Sequence, residues 1–146
     1  MAIEPEEAQL AAIAESAGGP DDGPILMLNL HRYRERAEYD GDPPGGGTAE
    51  VSGREAYNRY GAVALGVLER VGGRVLWGAP VAGTVIGGSD ESYDDVIAAW
   101  YPSRSAFLEL AGAPEIQAAR IDRAAGLERA TLLCCAPAPE PGSAGS

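Results

Sequence analysis

A strand that turns directly into a helix, Trp100-Tyr101-Pro102-Ser103-Arg104-Ser105-Ala106-Phe107, constrains this chain more than any other segment. Aromatic residues close the strand, and Pro102, lacking an N–H, cannot extend a central ladder. Ser103 and Arg104 then fall in a helix's first turn, where N–H groups are free to meet a ligand. Such a junction places a strand and a helix end to end, and the other segments have to be arranged around it.

Pro24 to Tyr33 reads as the first strand. Its run Ile25-Leu26-Met27-Leu28-Asn29-Leu30 is too continuously apolar for a half-exposed strand, so both faces should be covered. Ser52-Gly53-Arg54-Glu55 has the spacing of a capping box. The helix it opens sets Tyr57, Tyr60, Ala64, Val67, Leu68 and Val71 on one stripe, and Gly72-Gly73 ends it. Arg74 to Ile86 reads as a long strand interrupted around Gly78 to Gly83, and Pro80 within it implies a bulge or an edge. Gly87-Gly88-Ser89-Asp90 starts a hairpin loop, and Asp95 to Tyr101 is the third strand. Helices are predicted from Ser103 to about Ala111 and from Pro114 through Arg123, with a last strand from Leu127 to Cys135. The order β-α-β-β-α-β is the split arrangement called ferredoxin-like, an α+β fold whose antiparallel sheet carries two helices on one face. The other face is bare, and bare apolar residues predict pairing with a second copy, a homodimer through the sheet face.

The 146 residues have room for one domain, placed at 24–135. Ahead of it, residues 1–23 hold a short helix over 4–17, ended by Gly18-Gly19-Pro20, and a linker; the helix should lie outside the core fold. Within the domain, 34–51 carries Gly41-Asp42-Pro43-Pro44-Gly45-Gly46-Gly47 and reads as a flexible loop, either a lid or plain disorder. Residues 136–146 read as a disordered tail. The net charge of −11 repels phosphate backbones and anionic lipid, which argues against nucleic-acid and membrane partners. The N-terminus lacks a signal peptide's basic start, so the expected compartment is the cytoplasm. Cys134 and Cys135 are adjacent in a strand, point to opposite faces, and read as two buried small hydrophobes.

His31 is the only histidine, hence the only side chain with an unperturbed pKa near neutrality. Alternation puts it on the face of Asn29, Met27 and Ile25, so Asn29 could orient a ligand carbonyl while His31 exchanges a proton. The alternative is a half-exposed histidine at a strand end. Arg104 and Arg123 could clamp a carboxylate, or each could pair with Glu109, Glu115 or Glu128. Ser103 reads as a helix cap that could also touch a ligand. Tyr57, Tyr60, Trp77, Trp100 and Tyr101 could line an aromatic pocket, although spacing makes Tyr57 and Tyr60 core residues; it allows Trp77 and Trp100 to fall on opposite faces and does not settle which face is which. The acidic group Asp90, Glu91, Asp94 and Asp95 lacks metal-site spacing and reads as a solvated hairpin. There is no GxGxxG, P-loop, GxSxG or HExxH, so no cofactor and no metal are expected.

Taken in order, several stretches resemble the dimeric α/β-barrel superfamily and, within it, the family catalogued as domain of unknown function 1330. They are Met27-Leu28-Asn29-Leu30, Gly53-Arg54-Glu55-Ala56-Tyr57 with Tyr60-Gly61, Gly72-Gly73-Arg74-Val75, Val85-Ile86-Gly87 and Tyr93-Asp94-Asp95-Val96. The likeness continues through Tyr101 to Phe107, Pro114-Glu115-Ile116-Gln117 and Arg123-Ala124-Ala125-Gly126-Leu127-Glu128. Tyr93 and Ile116 depart from it, standing where tryptophan and tyrosine are usual. The resemblance implies a ferredoxin-like protomer, a dimer and small enclosed cavities, and no particular activity. Two functions are therefore expected. The first is a cofactor-independent enzyme of oxygenase, isomerase or cyclase type, acting on a small carbonyl or carboxylate compound. In it His31 is the acid or base, Asn29 and Tyr60 position the substrate, and Arg104 holds its anionic end. The second is a non-catalytic small-molecule binder or a purely structural homodimer.

Overall fold

The strand at Ile25–Tyr33 (β1) is flanked on both sides, and everything else is hung on it. In the computed structural model, which describes residues 3–139 and 141, β1 lies between β3 (Asp95–Tyr101) and β4 (Leu127–Cys135). β2 (Arg74–Pro80) lies beyond β3, giving the order β2-β3-β1-β4, and every pairing is antiparallel. Between β1 and β2 runs α2 (Gly53–Arg70); between β3 and β4 run α3 (Arg104–Gly112) and α4 (Pro114–Gly126). This is the ferredoxin-like α+β fold, with α1 (Glu7–Ser16) added ahead of it. Ile13 of α1 packs against the main core, so the first helix is docked on the domain.

Residues directly opposite in an antiparallel pair share a face, so the register sorts the sheet into two surfaces. Ile25, Met27, Asn29 and His31 share one with Tyr101, Ala99, Ile97 and Asp95. Here Ile25, Met27, Ala99 and Tyr101 pack with Val67 and Leu68 of α2, Phe107 and Leu110 of α3, and Ile116 of α4. Burying each large aliphatic or aromatic chain contributes about 1.5–3 kcal/mol, which makes this layer the principal source of stability. The opposite face carries Leu26, Leu28 and Leu30 in rows with Trp100, Ala98 and Val96 and with Cys135, Leu133 and Thr131.

Four expectations are corrected. β2 stops at Pro80 instead of Ile86, because β3 begins at Asp95 and leaves nothing for residues 84–86 to pair with; Val85 and Ile86 are 96% and 93% exposed. The irregularity falls between Val75 and Trp77, not around Gly78 to Gly83, and β2 is the edge strand that Pro80 implied. That bulge turns Trp77 to face the same way as Ala98, so Trp77 and Trp100 share the open face. Cys134 and Cys135 are exposed because β4 is the other edge, although they do point to opposite faces, level with Met27 and Leu26.

The Pro/Gly loop is tied at both ends and in the middle. Ala37 N–H donates to Val51 O, Glu38 N–H to Ala125 O, and Arg59 reaches from α2 to Thr48 O and the Tyr39 hydroxyl. Of the expected disordered tail, residues 136–139 and 141 are described and the rest lies outside the described residues. Among the described residues no helix is long and apolar enough to cross a membrane.

The start of α2 and the end of α4 meet backbone to backbone. A Cβ on Gly53 would run into the Arg34 backbone and lie 2.7 Å from Gly126 O. Gly53→Ala should therefore cost about 1–3 kcal/mol through overpacking. Gly66→Ala, later in the same helix with nothing within 4 Å of the new carbon, should gain about 0.5–1 kcal/mol. Urea midpoints at constant slope measure both.

Candidate functional site

Strand alternation aims His31 inward, and α2 closes over it. The side chain is 2% exposed, opposite Asp95 on β3 and Ala130 on β4. Its ring lies 4.5 Å from that of Tyr57 and 6.1 Å from that of Tyr33. Nδ1 is buried and has no hydrogen-bond partner among the described residues. An unpaired buried nitrogen costs about 1–3 kcal/mol, so the position is not one that stability alone selects. Burial first, then the charge of Arg123, push the imidazole pKa down to about 4 against the opposing pull of Asp95. At neutral pH the ring is uncharged and retains a free lone pair.

A layer of phenols adjoins it. Tyr57 lies 5.5 Å from Tyr33 and 5.7 Å from Tyr60, ring to ring. Burial raises the pKa of Tyr33, Tyr57, Tyr60 and Tyr101, so each stays protonated and able to donate. At the rim the Tyr33 hydroxyl donates to Asp95 Oδ2 at 2.8 Å, and Arg54 donates to the same oxygen at 2.5 Å. The Arg54 guanidinium also stands 4.6 Å over the Tyr33 ring, so the β3 end, the β1 end and α2 are joined by one polar chain.

The expected residues are distributed over three places. Asn29, His31, Tyr60 and Arg123 gather at the phenol layer. Asn29 Nδ2 donates to the carbonyls of Met27 and Ile97, and Arg123 sits 5.9 Å over the Tyr60 ring. Arg123 does not pair with Glu109, Glu115 or Glu128. It donates to Ile3 O and pairs with Glu4 at 3.5 Å, because the segment before α1 returns across α4. Glu115 pairs with Arg70 and Glu128 with Arg32.

Ser103 and Arg104 lie elsewhere. β3 runs from Asp95 beside His31 to Tyr101 beside Ile25, so the α3 start is about 20 Å from the imidazole along the strand. Ser103 is the cap, its Oγ accepting from Ala106 N–H at 3.1 Å. The N–H groups expected to meet a ligand meet Asp22: Oδ1 accepts from Arg104 N–H at 2.6 Å, and Oδ2 from Ser105 N–H and Ser105 Oγ. Partial desolvation raises the Asp22 pKa, but the hydrogen bonds from Gly18, Ser105 and Arg104 outweigh it and hold the carboxyl at about 2. Trp77 and Trp100 are on the open sheet face, separated from His31 by the sheet itself.

The acidic hairpin is exposed at Asp90 and Glu91, as expected of a solvated turn, whereas Asp94 and Asp95 are engaged in structure. Asp94 accepts from Tyr33 N–H, and Asp95 holds Tyr33 and Arg54. Among the described residues no three His, Cys, Asp or Glu side chains converge as a metal site. A groove of about 510 Å³ under the Pro/Gly loop is lined by Arg34, Tyr39, Asp40 and Ile121 among others, and none of the expected site residues forms its wall.

Sequence reasoning did not assign roles to Tyr33, Arg54, Asp95 or Asp22. Tyr33 was visible as the next same-face residue after His31; the others come from distant elements and had no local signal.

The chain is 36% identical to a protein of unknown function from Rhodopseudomonas palustris, over 94% of this chain and 98% of that one, with a TM-score of 0.80. It belongs to that protein's family. A methylated form of the same protein matches at 37% identity over 97% and 98% of the two chains, again with a TM-score of 0.80. A dabb family protein with a ferredoxin-like fold from Mesorhizobium loti is 13% identical over 80% of this chain and 99% of that one. Its TM-score is 0.49, too slight a likeness to bear on function. No family model, that of domain of unknown function 1330 included, and no curated protein matches the sequence.

The lowered His31 pKa carries a stability signature. The unfolded chain takes up a proton on this ring below about pH 6.5, while the folded chain resists until about pH 4. Stability should therefore be fully present above pH 6.5 and fall as the pH drops toward 4, by up to about 3 kcal/mol for this group. His31→Phe should flatten that segment of the urea-midpoint profile. At the other end of the sheet, Asp22→Ala should cost about 1 kcal/mol at neutral pH by taking the acceptor from the Arg104 and Ser105 N–H groups, while the Ser103 cap remains.

Proposed function

We propose that this protein is a small-molecule enzyme acting by proton transfer at His31. The observation that carries this reading is the buried imidazole with an unpartnered Nδ1 beside protonated tyrosines. A base held at a pKa of about 4 is weak, so it suits a proton that is already acidic. The substrate class is accordingly an activated carbonyl compound, such as a 1,3-dicarbonyl or a β-keto acid, seated between the sheet and α2.

His31 takes the proton from the carbon between the two carbonyl groups, and the electron pair moves onto a carbonyl oxygen. The Tyr57 and Tyr60 hydroxyls donate hydrogen bonds to that oxygen as its charge grows. The proton then returns from His31 to carbon or oxygen, so no co-reactant is consumed. Asn29, with both Nδ2 protons committed, has only Oδ1 for a ligand. Arg123 takes the part of the cationic group facing an anionic end, since Arg104 sits at the opposite end of β1.

A second reading rests on a specific observation. The Tyr57 ring at 4.5 Å fills space beside the imidazole, as a packed core histidine shows, which favours a non-catalytic binder or structural protein. Deuterium uptake at the activated carbon of a panel of 1,3-dicarbonyl compounds separates the two. The enzyme reading expects the native chain to exceed His31→Phe by about 100-fold or more. Equal uptake by a folded His31→Phe sinks it.

We also propose a homodimer through the open sheet face, where Trp77 is 51% and Leu133 49% exposed in one cross-strand row with Ala98 and Leu28. Trp77→Glu should weaken self-association at least tenfold in sedimentation velocity.

A further inference from the structure

Two tryptophans share the open face, yet their surroundings differ: Trp77 is 51% exposed and Trp100 only 6%. Trp77 stands on the edge strand and Trp100 on an interior one, and the chain's own end adds to that difference. Past Cys135 the backbone leaves β4, crosses the start of β1 with Ala138 N–H donating to Pro24 O at 3.0 Å, and arrives under Trp100. There the indole Nε1–H donates to Pro139 O at 2.8 Å. The indole N–H is thus satisfied by a segment of low complexity that forms no ladder of its own.

The face is small. Four strands about 4.8 Å apart and about seven residues long present an area on the order of 400 Å². A stable interface takes about 800 Å² per partner, so a second copy needs all of this face and neighbouring surface besides. The row Arg74, Trp100, Leu26 and Cys135 is one of the face's cross-strand rows, and the segment lies over it.

We propose that residues 136–139 are a self-docking strap, an intramolecular competitor that holds the Trp100 row and must release it before a second copy can use the whole sheet face. The inference rests on the homodimer reading above. It makes self-association of this chain adjustable by anything that captures its C-terminal segment.

Two variants test it. Ala138→Pro removes the N–H that donates to Pro24 and keeps the chain whole; a chain ended after Cys135 removes the strap outright. In a Trp77→Phe background Trp100 is the sole tryptophan, and its fluorescence is read at a concentration below association. Both variants should red-shift its emission and raise acrylamide quenching severalfold. With Trp77 retained, both should lower the concentration at which dimers form, by about tenfold, in sedimentation velocity. Unchanged Trp100 emission while the native chain dimerises overturns the strap. A red-shift with equal or weaker association overturns the competition. If neither native nor altered chain associates, the homodimer reading fails and the competition fails with it, a result the spectral shift keeps separate from failure of the strap.

Discussion

The two-faced commitment of β1 is the constraint on which the rest depends. Ile25, Met27 and His31 must be buried under helices, while Leu26, Leu28 and Leu30 emerge on the other side. A strand so apolar on both faces cannot lie at an edge, so β3 and β4 pair to its two sides and β2 is left outermost with its proline. A one-residue slip would place His31 and Asn29 on the open face and three leucines against the helices. The close approach of Gly53 to Gly126 follows from the same demand, since α2 and α4 must both reach the inward face.

Along that inward face the chemistry changes from one end to the other. At the Ile25 end it is hydrocarbon, closed by the edge-on packing of Tyr101 and Phe107 at 5.4 Å. At the His31 end it turns polar, with three phenols, an uncharged imidazole, and the Asp95–Arg54 pair at its rim. Low surrounding polarity keeps the tyrosines protonated and the histidine neutral, so the layer offers donors and one lone pair without net charge. Charge is confined to its edges, where Arg54 and Arg123 find carboxylates.

The helix start after Pro102 behaves differently from this layer. Its free N–H groups favour any nearby anion, and the linker supplies Asp22 as a built-in one. The same carboxylate accepts from Gly18 N–H, so it ties the end of α1 to the start of α3. The junction therefore serves as a fastening for the added N-terminal helix, and the buried imidazole sits about 20 Å away at the other end of the strand pair.

Much of the architecture could be read locally. The junction at Trp100 to Phe107, the Ser52 cap, the span Asp95 to Tyr101 and the span Leu127 to Cys135 stand where periodicity and capping placed them, as does the alternation that put His31 beside Asn29. Those signals are set by neighbours in the chain: a cap needs a donor three residues on, and a strand face needs every second residue. What depended on distant partners was not legible. The end of β2 was decided by where β3 begins, the side on which Trp77 stands by a bulge at residue 76, and the exposure of Cys134 and Cys135 by β4 lying at an edge. Asp22 at the α3 start, Glu4 on Arg123 and Pro139 on Trp100 join residues 82, 119 and 39 positions apart. The sequence by itself determined the elements, their order and the faces of β1. The tertiary structure decided which polar groups are buried, paired or left without a partner, because burial and pairing are summed over contacts that local spacing does not contain.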